Sequence, residues 1–205
     1  MNIILNLKKI PIRLASASPR RLELLRQLGL TPDVFPVHVD ERPGLGEGAL
    51  AYVERVARAK TMAAIQKTEQ TVLTLGADTA VVLDDLILGK PLDRQHATAM
   101  LERVSGNLHQ VLTGVAIHAS DTGLCFSRVV QTEVWIKKLS SQEIQSYIDS
   151  GEPMDKAGAY AIQGLGAFLV AKLQGSYSNV VGLPLFETLE LFQNILDKGS
   201  INLDK

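Results

Sequence analysis

The sequence contains very little cysteine and no long apolar run. Cys125 is the single cysteine among 205 residues, which excludes an internal disulfide and indicates a reducing compartment. No stretch approaches about 18 uncharged apolar residues, so no transmembrane helix is predicted. The first eleven residues lack the apolar core and the small-residue cleavage site of a signal peptide. We therefore expect a cytoplasmic protein.

An excess of charge of either sign is also absent. The chain has 21 basic and 22 acidic side chains and a formal net charge of −1. Such a balanced chain has little bulk attraction for nucleic acid or for an anionic membrane, and we expect neither as a partner. An anion must therefore be held by a local cluster of positive groups. The four histidines are scattered, and their spacing predicts no zinc site.

The remaining composition is that of an ordinary globular protein, with 46% hydrophobic and 21% charged residues. Strand-like and helix-like segments alternate, and some neighbouring strands are joined by short turns. This pattern predicts an α/β or α+β fold with a mixed sheet. No long linker divides the chain, so we expect one domain over 1–205, with a second lobe over about 105–151 as the less defined alternative.

Periodicity and turn residues predict individual elements along the chain. Predicted strands cover 10–15, 34–39, 71–75, 80–83, 86–88, 109–118, 124–136, 159–163 and 167–173. Predicted helices cover 19–28, 49–66, 94–104, 141–150 and 184–196. Ser18 and Pro19 suit the start of the first of these helices, Asp93 suits the cap of the helix over 94–104, and Ser140 with Glu143 forms a capping-box pattern. Asp84-Asp85 suits the turn of a hairpin between the strands over 80–83 and 86–88.

The segment Ser16-Ala17-Ser18-Pro19-Arg20-Arg21 joins a strand to a helix. A helix N-terminus carries free N–H groups and partial positive charge, so two arginines there are unfavourable unless an anion also binds. Ser16 and Ser18 add hydroxyl donors. The segment is consistent with a phosphate cradle and equally with a capped helix whose arginines are solvated. It lacks the glycine-rich Walker pattern.

Asp78 stands among small and apolar residues in the segment Gly76-Ala77-Asp78-Thr79-Ala80. A carboxylate that is buried without a partner is costly, so such a residue is a candidate general base or metal ligand. The alternative is a turn aspartate at a strand end, and the spacing alone favours that alternative.

Three further charged residues are weaker candidates. Lys90, fixed between Gly89 and Pro91, suits a phosphate contact, although solvated lysines are more common. Lys60 either faces the apolar side of its helix or extends past it into water. Glu41 follows another acidic residue in an irregular loop, where paired carboxylates hold Mg²⁺ or are simply hydrated.

Two segments near the C-terminus are rich in small residues. In 155–167, glycines allow backbone to approach a ligand, and Gln163 offers a donor and an acceptor suited to a base edge. The alternative is a β-hairpin with a glycine turn. Segment 175–184 either contacts substrate or closes the fold. Taken separately, these signals predict a cytoplasmic α/β protein with an anion site.

Together these segments resemble the Maf family of nucleoside triphosphate pyrophosphatases. The resemblance runs in order from Leu14 to about Leu191 and leaves both flanks uncovered. It rests on six motifs: S-A-S-P-R-R at 16, G-A-D-T at 76, G-K-P at 89, S-G-x-x-H-x-V-x-T-G-V at 105, D-K-A-G-A-Y-A-I-Q-G at 155 and G-S-Y-x-N-V-V-G-L-P-L at 175.

The resemblance implies a mixed, twisted sheet flanked by helices, two lobes around a central cleft, and a homodimer. It also implies hydrolysis of a nucleoside triphosphate between its α and β phosphates, with Mg²⁺ or Mn²⁺ as cofactor. The implied proton acceptor is Asp78, which also binds metal with Glu41. The implied substrate-binding residues are Ser16, Arg20, Lys60 and Lys90 for the phosphates and Arg21, Thr79 and Gln163 for specificity.

Thr79 after the aspartate and the Gln163-Gly164 pair resemble the branch that acts on dTTP and UTP. The sister branch, which acts on 7-methyl-GTP, more often has glutamine after that aspartate and a Glu-Gly pair at the second place. Ala17 departs from the glycine that is frequent in the first motif. Modified pyrimidine triphosphates, the sister substrate, and a nucleotide-binding regulator of cell division without turnover remain alternatives.

Overall fold

The computed structural model describes residues 2–65 and 71–199. Its α-helices are α1 (Asn2–Leu7), α2 (Pro19–Gln27), α3 (Ala49–Ala63), α4 (Arg94–Val104), α5 (Ser141–Asp149), α6 (Tyr177–Val181) and α7 (Leu185–Gly199). Its strands are β1 (Ile12–Leu14), β2 (Asp33–Val34), β3 (Leu73–Leu83), β4 (Leu86–Leu88), β5 (Leu108–Ala119), β6 (Cys125–Ile136) and β7 (Val170–Gln174). Short 3₁₀ helices cover Glu152–Asp155, Ala157–Ala159 and Gly164–Leu169.

The strands form one seven-stranded mixed sheet flanked by helices, which confirms the predicted fold class. The strand order is β2-β1-β3-β5-β6-β7, with β4 pairing β3 outside this path. Strand β1 pairs β2 and β3 in parallel, whereas β3 with β4 and β6 with β7 are antiparallel. Parallel pairs need crossover connections and antiparallel pairs accept tight turns, so the mixture follows from the alternating sequence pattern.

Local signals in the sequence correctly mark several element boundaries. The Ser18 hydroxyl accepts from the Arg21 amide at the start of α2, and Asp93 caps α4 in the same way. The capping box of Ser140 and Glu143 is present at α5. Asp84 and Asp85, both with positive φ, form the tight turn between β3 and β4.

Several predicted elements need correction. The strand predicted over 34–39 is only the two residues of β2, and the two strands predicted over 71–83 are a single strand, β3. The strand predicted over 159–163 is absent from the described chain, where 3₁₀ turns flank this stretch. Helix α6 lies where a loop was expected. Helix α3 ends at Ala63, and the predicted end at Gln66 lies outside the described residues.

The chain divides into two compact units with separate cores. Unit 1 comprises 1–78, 113–130 and 182–205, and unit 2 comprises 79–112 and 131–181. The fully buried side chains of unit 1 include Leu14, Leu25, Leu75, Ile117 and Phe192. Those of unit 2 include Leu101, Ile148 and Leu169. The assignment of 1–205 to one domain, and of 105–151 to a second lobe, stay predictions.

None of the helices in 2–65 and 71–199 combines the length and the apolar character that crossing a bilayer requires.

Candidate active site

In unit 1, the loop between β1 and α2 surrounds a buried arginine. The Arg21 guanidinium donates from Nη1 to Ser16 Oγ at 3.1 Å and from Nε to the Gly182 carbonyl at 2.9 Å. Ser16 Oγ also accepts from the Ser18 amide at 3.1 Å. Arg21 is only 9% exposed, whereas Arg20 is half-buried. The solvated-arginine alternative is therefore wrong for Arg21, which is positioned by the loop around it.

A second group in unit 1 is built on a buried lysine. Lys60 Nζ lies 2.7 Å from Asp78 Oδ1 and 2.8 Å from Glu41 Oε1. Lys60 and Asp78 are 8% and 6% exposed, whereas the Glu41 side chain is about half exposed. The interpretation of Lys60 as a solvated lysine is therefore wrong. Asp78 is not at a strand end either, because β3 continues for five residues beyond it.

Two glycines explain how the lysine reaches the aspartate. A Cβ at Gly76 would lie 2.4 Å from Thr61 Oγ1 and 2.6 Å from the Ala57 carbonyl oxygen of α3. A Cβ at Gly114 on β5 would lie 2.3 Å from the Val53 carbonyl oxygen, also on α3. Helix α3 therefore rests on the sheet at a distance that only glycine permits, and this places the last turn of α3 beside Asp78.

Charge connects these groups, which we call the Asp78 cluster: Ser16, Arg21, Glu41, Lys60 and Asp78. Burial lowers the pKa of the Arg21 guanidinium, and the charges of Asp78 and Glu41 oppose that effect. The positive and negative groups therefore stabilise one another in a partly dehydrated environment, where electrostatic interactions are stronger than in water.

Tyr52 belongs beside the Asp78 cluster and was not predicted from the sequence. Its side chain is buried, and burial together with the Asp78 and Glu41 charges raises the pKa of Tyr52 to about 12. The one available signal was its position eight residues before Lys60, which places both on one face of α3. Gly182, whose carbonyl holds Arg21, was also missed as a site residue.

Unit 2 contains the other three predicted site residues. Thr79 follows Asp78 on β3, and successive residues of a strand point to opposite faces, so the two side chains diverge. Lys90 is exposed just after β4, and the neighbouring Gly89 carbonyl accepts from the Gly158 amide at 3.0 Å. Gln163 is half-buried directly before the 3₁₀ helix Gly164–Leu169. The glycine-turn hairpin considered for this segment is wrong.

The G-S-Y-S-N segment closes the fold of unit 2 through its asparagine. Asn179 is fully buried and donates from Nδ2 to the Val111 carbonyl at 3.0 Å and to Thr132 Oγ1 at 2.9 Å. Thr132 Oγ1 also accepts from the Ser176 amide at 3.0 Å. These bonds attach the segment around α6 to strands β5 and β6.

The carboxylates of the Asp78 cluster fit a divalent metal that is bound together with phosphates. Asp78 and Glu41 each place an oxygen on one and the same cationic group, Lys60, so both carboxylates converge on a position that a positive charge occupies. Mg²⁺ is usually held by one or two carboxylates plus substrate phosphates and waters. Across 2–65 and 71–199, no group of three or more His, Cys, Asp or Glu side chains forms a complete metal site.

Comparison with known proteins identifies the family of this chain. The sequence profile of the family described as "Maf-like protein" matches residues 11–195. This chain belongs to the Maf family.

Individual relatives match over most of the chain. A protein of Shigella sonnei named dTTP/UTP pyrophosphatase is 48% identical over 181 residues, which are 88% of this chain and 91% of that protein. A Vibrio cholerae protein of the same name is 48% identical over 87% of this chain and 94% of its own length. A Shigella flexneri relative with 48% identity over 88% of this chain and 91% of its own is named nucleoside triphosphate pyrophosphatase.

One solved structure, a nucleoside-triphosphatase / dITP/XTP pyrophosphatase of Mycobacterium abscessus, aligns with 94% of this chain and 99% of that chain. Its TM-score is 0.41 and its sequence identity 13%, and this likeness is too low to bear on the site.

Proposed function

We propose that this protein hydrolyses dTTP and UTP between the α and β phosphates, releasing the nucleoside monophosphate and pyrophosphate. The observation that carries the proposal is the buried Lys60–Asp78 pair, with Glu41 on the same lysine, in a chain 48% identical to proteins named dTTP/UTP pyrophosphatase. A buried carboxylate beside cationic groups suits water attack on a polyphosphate, because the carboxylate accepts a proton and the cations neutralise phosphate charge.

The triphosphate is bound by the positive side of the site. Ser16 offers a hydroxyl, and Arg20, at the first turn of α2, offers a guanidinium beside free helix N–H groups. Lys60 and Lys90 add ammonium groups, which act as point charges on phosphate oxygens. Together these groups neutralise the charge that grows on the departing pyrophosphate.

Asp78 acts on the attacking water. Its Oδ1 is held by Lys60 at 2.7 Å, which fixes the direction in which the carboxylate points. From that position Asp78 orients the water and accepts its proton as the oxygen attacks the α phosphorus. The α–β phosphoanhydride bond then breaks, and its electrons leave with the pyrophosphate.

Asp78 and Glu41 are the residues that would hold a divalent cation, Mg²⁺ or Mn²⁺, together with substrate phosphate oxygens. When bound, it supplies Lewis-acid neutralisation of phosphate charge. Lys60 has two roles: its positive charge balances the two carboxylates, and its hydrogen bond orients Asp78.

Arg21, Thr79 and Gln163 select the base. The Gln163 amide can donate to and accept from a pyrimidine edge. Arg21, with Ser16 and Gly182 as partners, is restricted to one orientation and so distinguishes shapes better than a mobile side chain.

The test is pyrophosphate release over a panel of dTTP, UTP, CTP, dGTP, ATP and 7-methyl-GTP, with Mg²⁺, Mn²⁺ or EDTA. We expect dTTP and UTP to be the best substrates and EDTA to abolish release. A higher kcat/KM for 7-methyl-GTP would assign the chain to the sister activity. Nucleotide binding without any release would favour a regulator.

The resemblance also leads us to propose a homodimer in the cytoplasm that uses neither nucleic acid nor membrane as a partner. Light scattering after size-exclusion chromatography tests the dimer, which should have twice the 22.3 kDa mass of one chain.

A further inference from the structure

A single carboxylate in unit 2 organises the backbone that follows Gln163. Glu152 Oε1 accepts from the Tyr147 hydroxyl at 2.9 Å and from the Gly166 amide at 2.8 Å. Its Oε2 accepts from the Leu165 amide at 2.9 Å. Both amides belong to the first turn of the 3₁₀ helix Gly164–Leu169, so Glu152 caps this helix from outside.

Tyr147 extends the same network to the other side of Gln163. Its hydroxyl accepts from the Ala161 amide at 3.1 Å while donating to Glu152. The Tyr147 ring is buried in the core of unit 2. The backbone is therefore fixed two residues before Gln163 and two residues after it. We call Glu152, Tyr147 and the backbone of 161–166 the Glu152 cap.

The glycines of this segment are required by the Glu152 cap. A Cβ at Gly164 would lie 2.5 Å from Glu152 Oε2, and φ there is +73°. A Cβ at Gly166 would lie 2.3 Å from the Ala161 carbonyl oxygen and 2.5 Å from the Tyr147 hydroxyl. Only glycine lets the carboxylate and the phenol approach the backbone this closely.

The cap also changes what Gln163 does. Gln163 occupies the N-cap position of the 3₁₀ helix, where a side chain commonly bonds to the first free amides. Its side chain makes no such bond, because Glu152 already satisfies the amides of Leu165 and Gly166. The side-chain amide of Gln163 is therefore not used to cap the helix.

Although burial acts in the opposite direction, the hydrogen bonds from Gly166, Leu165 and Tyr147 lower the pKa of Glu152. The folded protein therefore favours the ionised carboxylate, which accepts all three bonds.

We infer that Glu152 is a positioning residue for nucleotide selectivity, which holds Gln163 where it reads the base. This inference rests on the proposed function, because it takes Gln163 as the base-reading residue. Glu152 itself touches backbone and Tyr147, and acts on the nucleotide only through the loop.

The test compares Glu152→Gln with wild type in two binding measurements by calorimetry, with dTTP and with inorganic tripolyphosphate, both in EDTA so that dTTP is not hydrolysed. Glutamine keeps the size of the side chain but turns an N–H₂ group toward backbone N–H donors. We expect the Kd for dTTP to rise by about tenfold or more, since charged hydrogen bonds are lost. The Kd for tripolyphosphate, which has no base, should stay within about twofold.

Kinetics and hydrogen exchange give independent readouts. In E152Q the KM for dTTP should rise while kcat changes little, and the amides of Leu165 and Gly166 should lose protection. The matched control is Glu143→Gln, which removes a carboxylate cap from α5 in the same unit and whose hydrogen bonds go to Lys137 and Ser140 rather than to 161–166. Tyr147→Phe should shift the Kd for dTTP in the same direction as E152Q, and it provides the test if E152Q does not fold.

The inference is overturned if E152Q binds dTTP as wild type does, or if dTTP and tripolyphosphate weaken in parallel. Equal effects of E143Q and E152Q on dTTP binding would overturn it as well. If wild type binds no pyrimidine triphosphate, the proposed function itself has failed. These results are distinct, because the first three require a wild type that binds dTTP.

Discussion

The Asp78 cluster of unit 1 and the Glu152 cap of unit 2 hold their residues in opposite ways. In the Asp78 cluster, oppositely charged side chains pair directly, and Lys60 Nζ bridges Asp78 and Glu41. In the Glu152 cap, one carboxylate holds backbone amides of a loop. The first arrangement suits chemistry on charged phosphates, and the second suits the placement of a neutral amide. Substitutions in the two regions should therefore impair the protein in different ways.

The largest effect is expected for Asp78→Asn. The amide oxygen can still accept from Lys60, so the fold should persist while the proton acceptor is lost. We expect kcat for dTTP to fall about 10²–10⁴-fold, with nucleotide binding retained. Pyrophosphate release measures the rate, and Asp33→Asn, at an exposed aspartate of unit 1, is the control. Turnover at the wild-type rate would eliminate Asp78 as the base.

Lys60→Met should damage both stability and catalysis. It leaves Asp78 buried without its cation, and breaking a buried pair costs about 3–5 kcal/mol. Because Glu41 is half exposed and relaxes toward water, we expect the lower end, about 3 kcal/mol, in urea unfolding. Lys8→Met, at an exposed lysine of the same unit, should change little. If the unfolding free energy of this variant equalled that of wild type, the Lys60–Asp78 pair would not stabilise the fold as we expect.

Two glycine substitutions sharpen the comparison directly. Gly76→Ala pushes α3 away from β3, so we expect a loss of about 1–3 kcal/mol in unfolding free energy and a lower kcat.

Gly166→Ala breaks the Glu152 cap, so we expect a higher KM for dTTP and unchanged inhibition by tripolyphosphate. Gly44→Ala, whose Cβ meets only ordinary contacts, is the matched control. A kcat defect in G166A without a KM change would remove the distinction between the two regions.

The smallest effect concerns pH and a buried histidine of unit 2. His109 is 2% exposed, its Nε2 pairs with the Tyr160 hydroxyl at 2.7 Å, and burial lowers the pKa of His109 to about 4. The unfolded chain, with an ordinary histidine pKa, binds more protons below about pH 6.5. The folded state therefore loses about 1 kcal/mol between pH 7 and pH 5.5 through this residue.

Urea unfolding at both pH values measures this loss. In His109→Gln the difference between the two pH values should shrink by that amount. His38→Gln, at an exposed histidine, should leave the difference unchanged. His118 contributes in the same direction, because burial lowers the pKa of His118 as well, although the nearby Asp121 opposes the effect.

Elements with strong local signals could be predicted from the sequence. The first residues of α2, α4 and α5 follow from Ser18, Asp93 and Ser140, whose side chains accept from amides in the first turn of each helix. Strands were predicted within 157–169 because its small and apolar residues resemble the sequence pattern of a buried strand. Its actual path depends on glycines with positive φ and on Glu152, which binds amides 13 and 14 residues further along the chain.

The candidate site was only partly readable from sequence for a similar reason. The motifs contain Arg21 and Asp78, and the family resemblance adds Lys60 as a candidate. No spacing rule predicts that Lys60 contacts a residue 18 positions later. That contact depends on α3 lying on β3, which the small size of Gly76 permits. The solvated alternatives for Arg21 and Lys60 failed because burial is set by tertiary packing, which a linear pattern does not contain.

The seating of α3 on Gly76 and Gly114 limits how this site can evolve. Any side chain larger than hydrogen at either strand position would lift the whole helix and carry Lys60 away from Asp78. New specificities are thus more accessible through residues at the rim, whose exchange leaves the helix in place. A chemist redesigning this protein should keep both glycines and vary the loops around them.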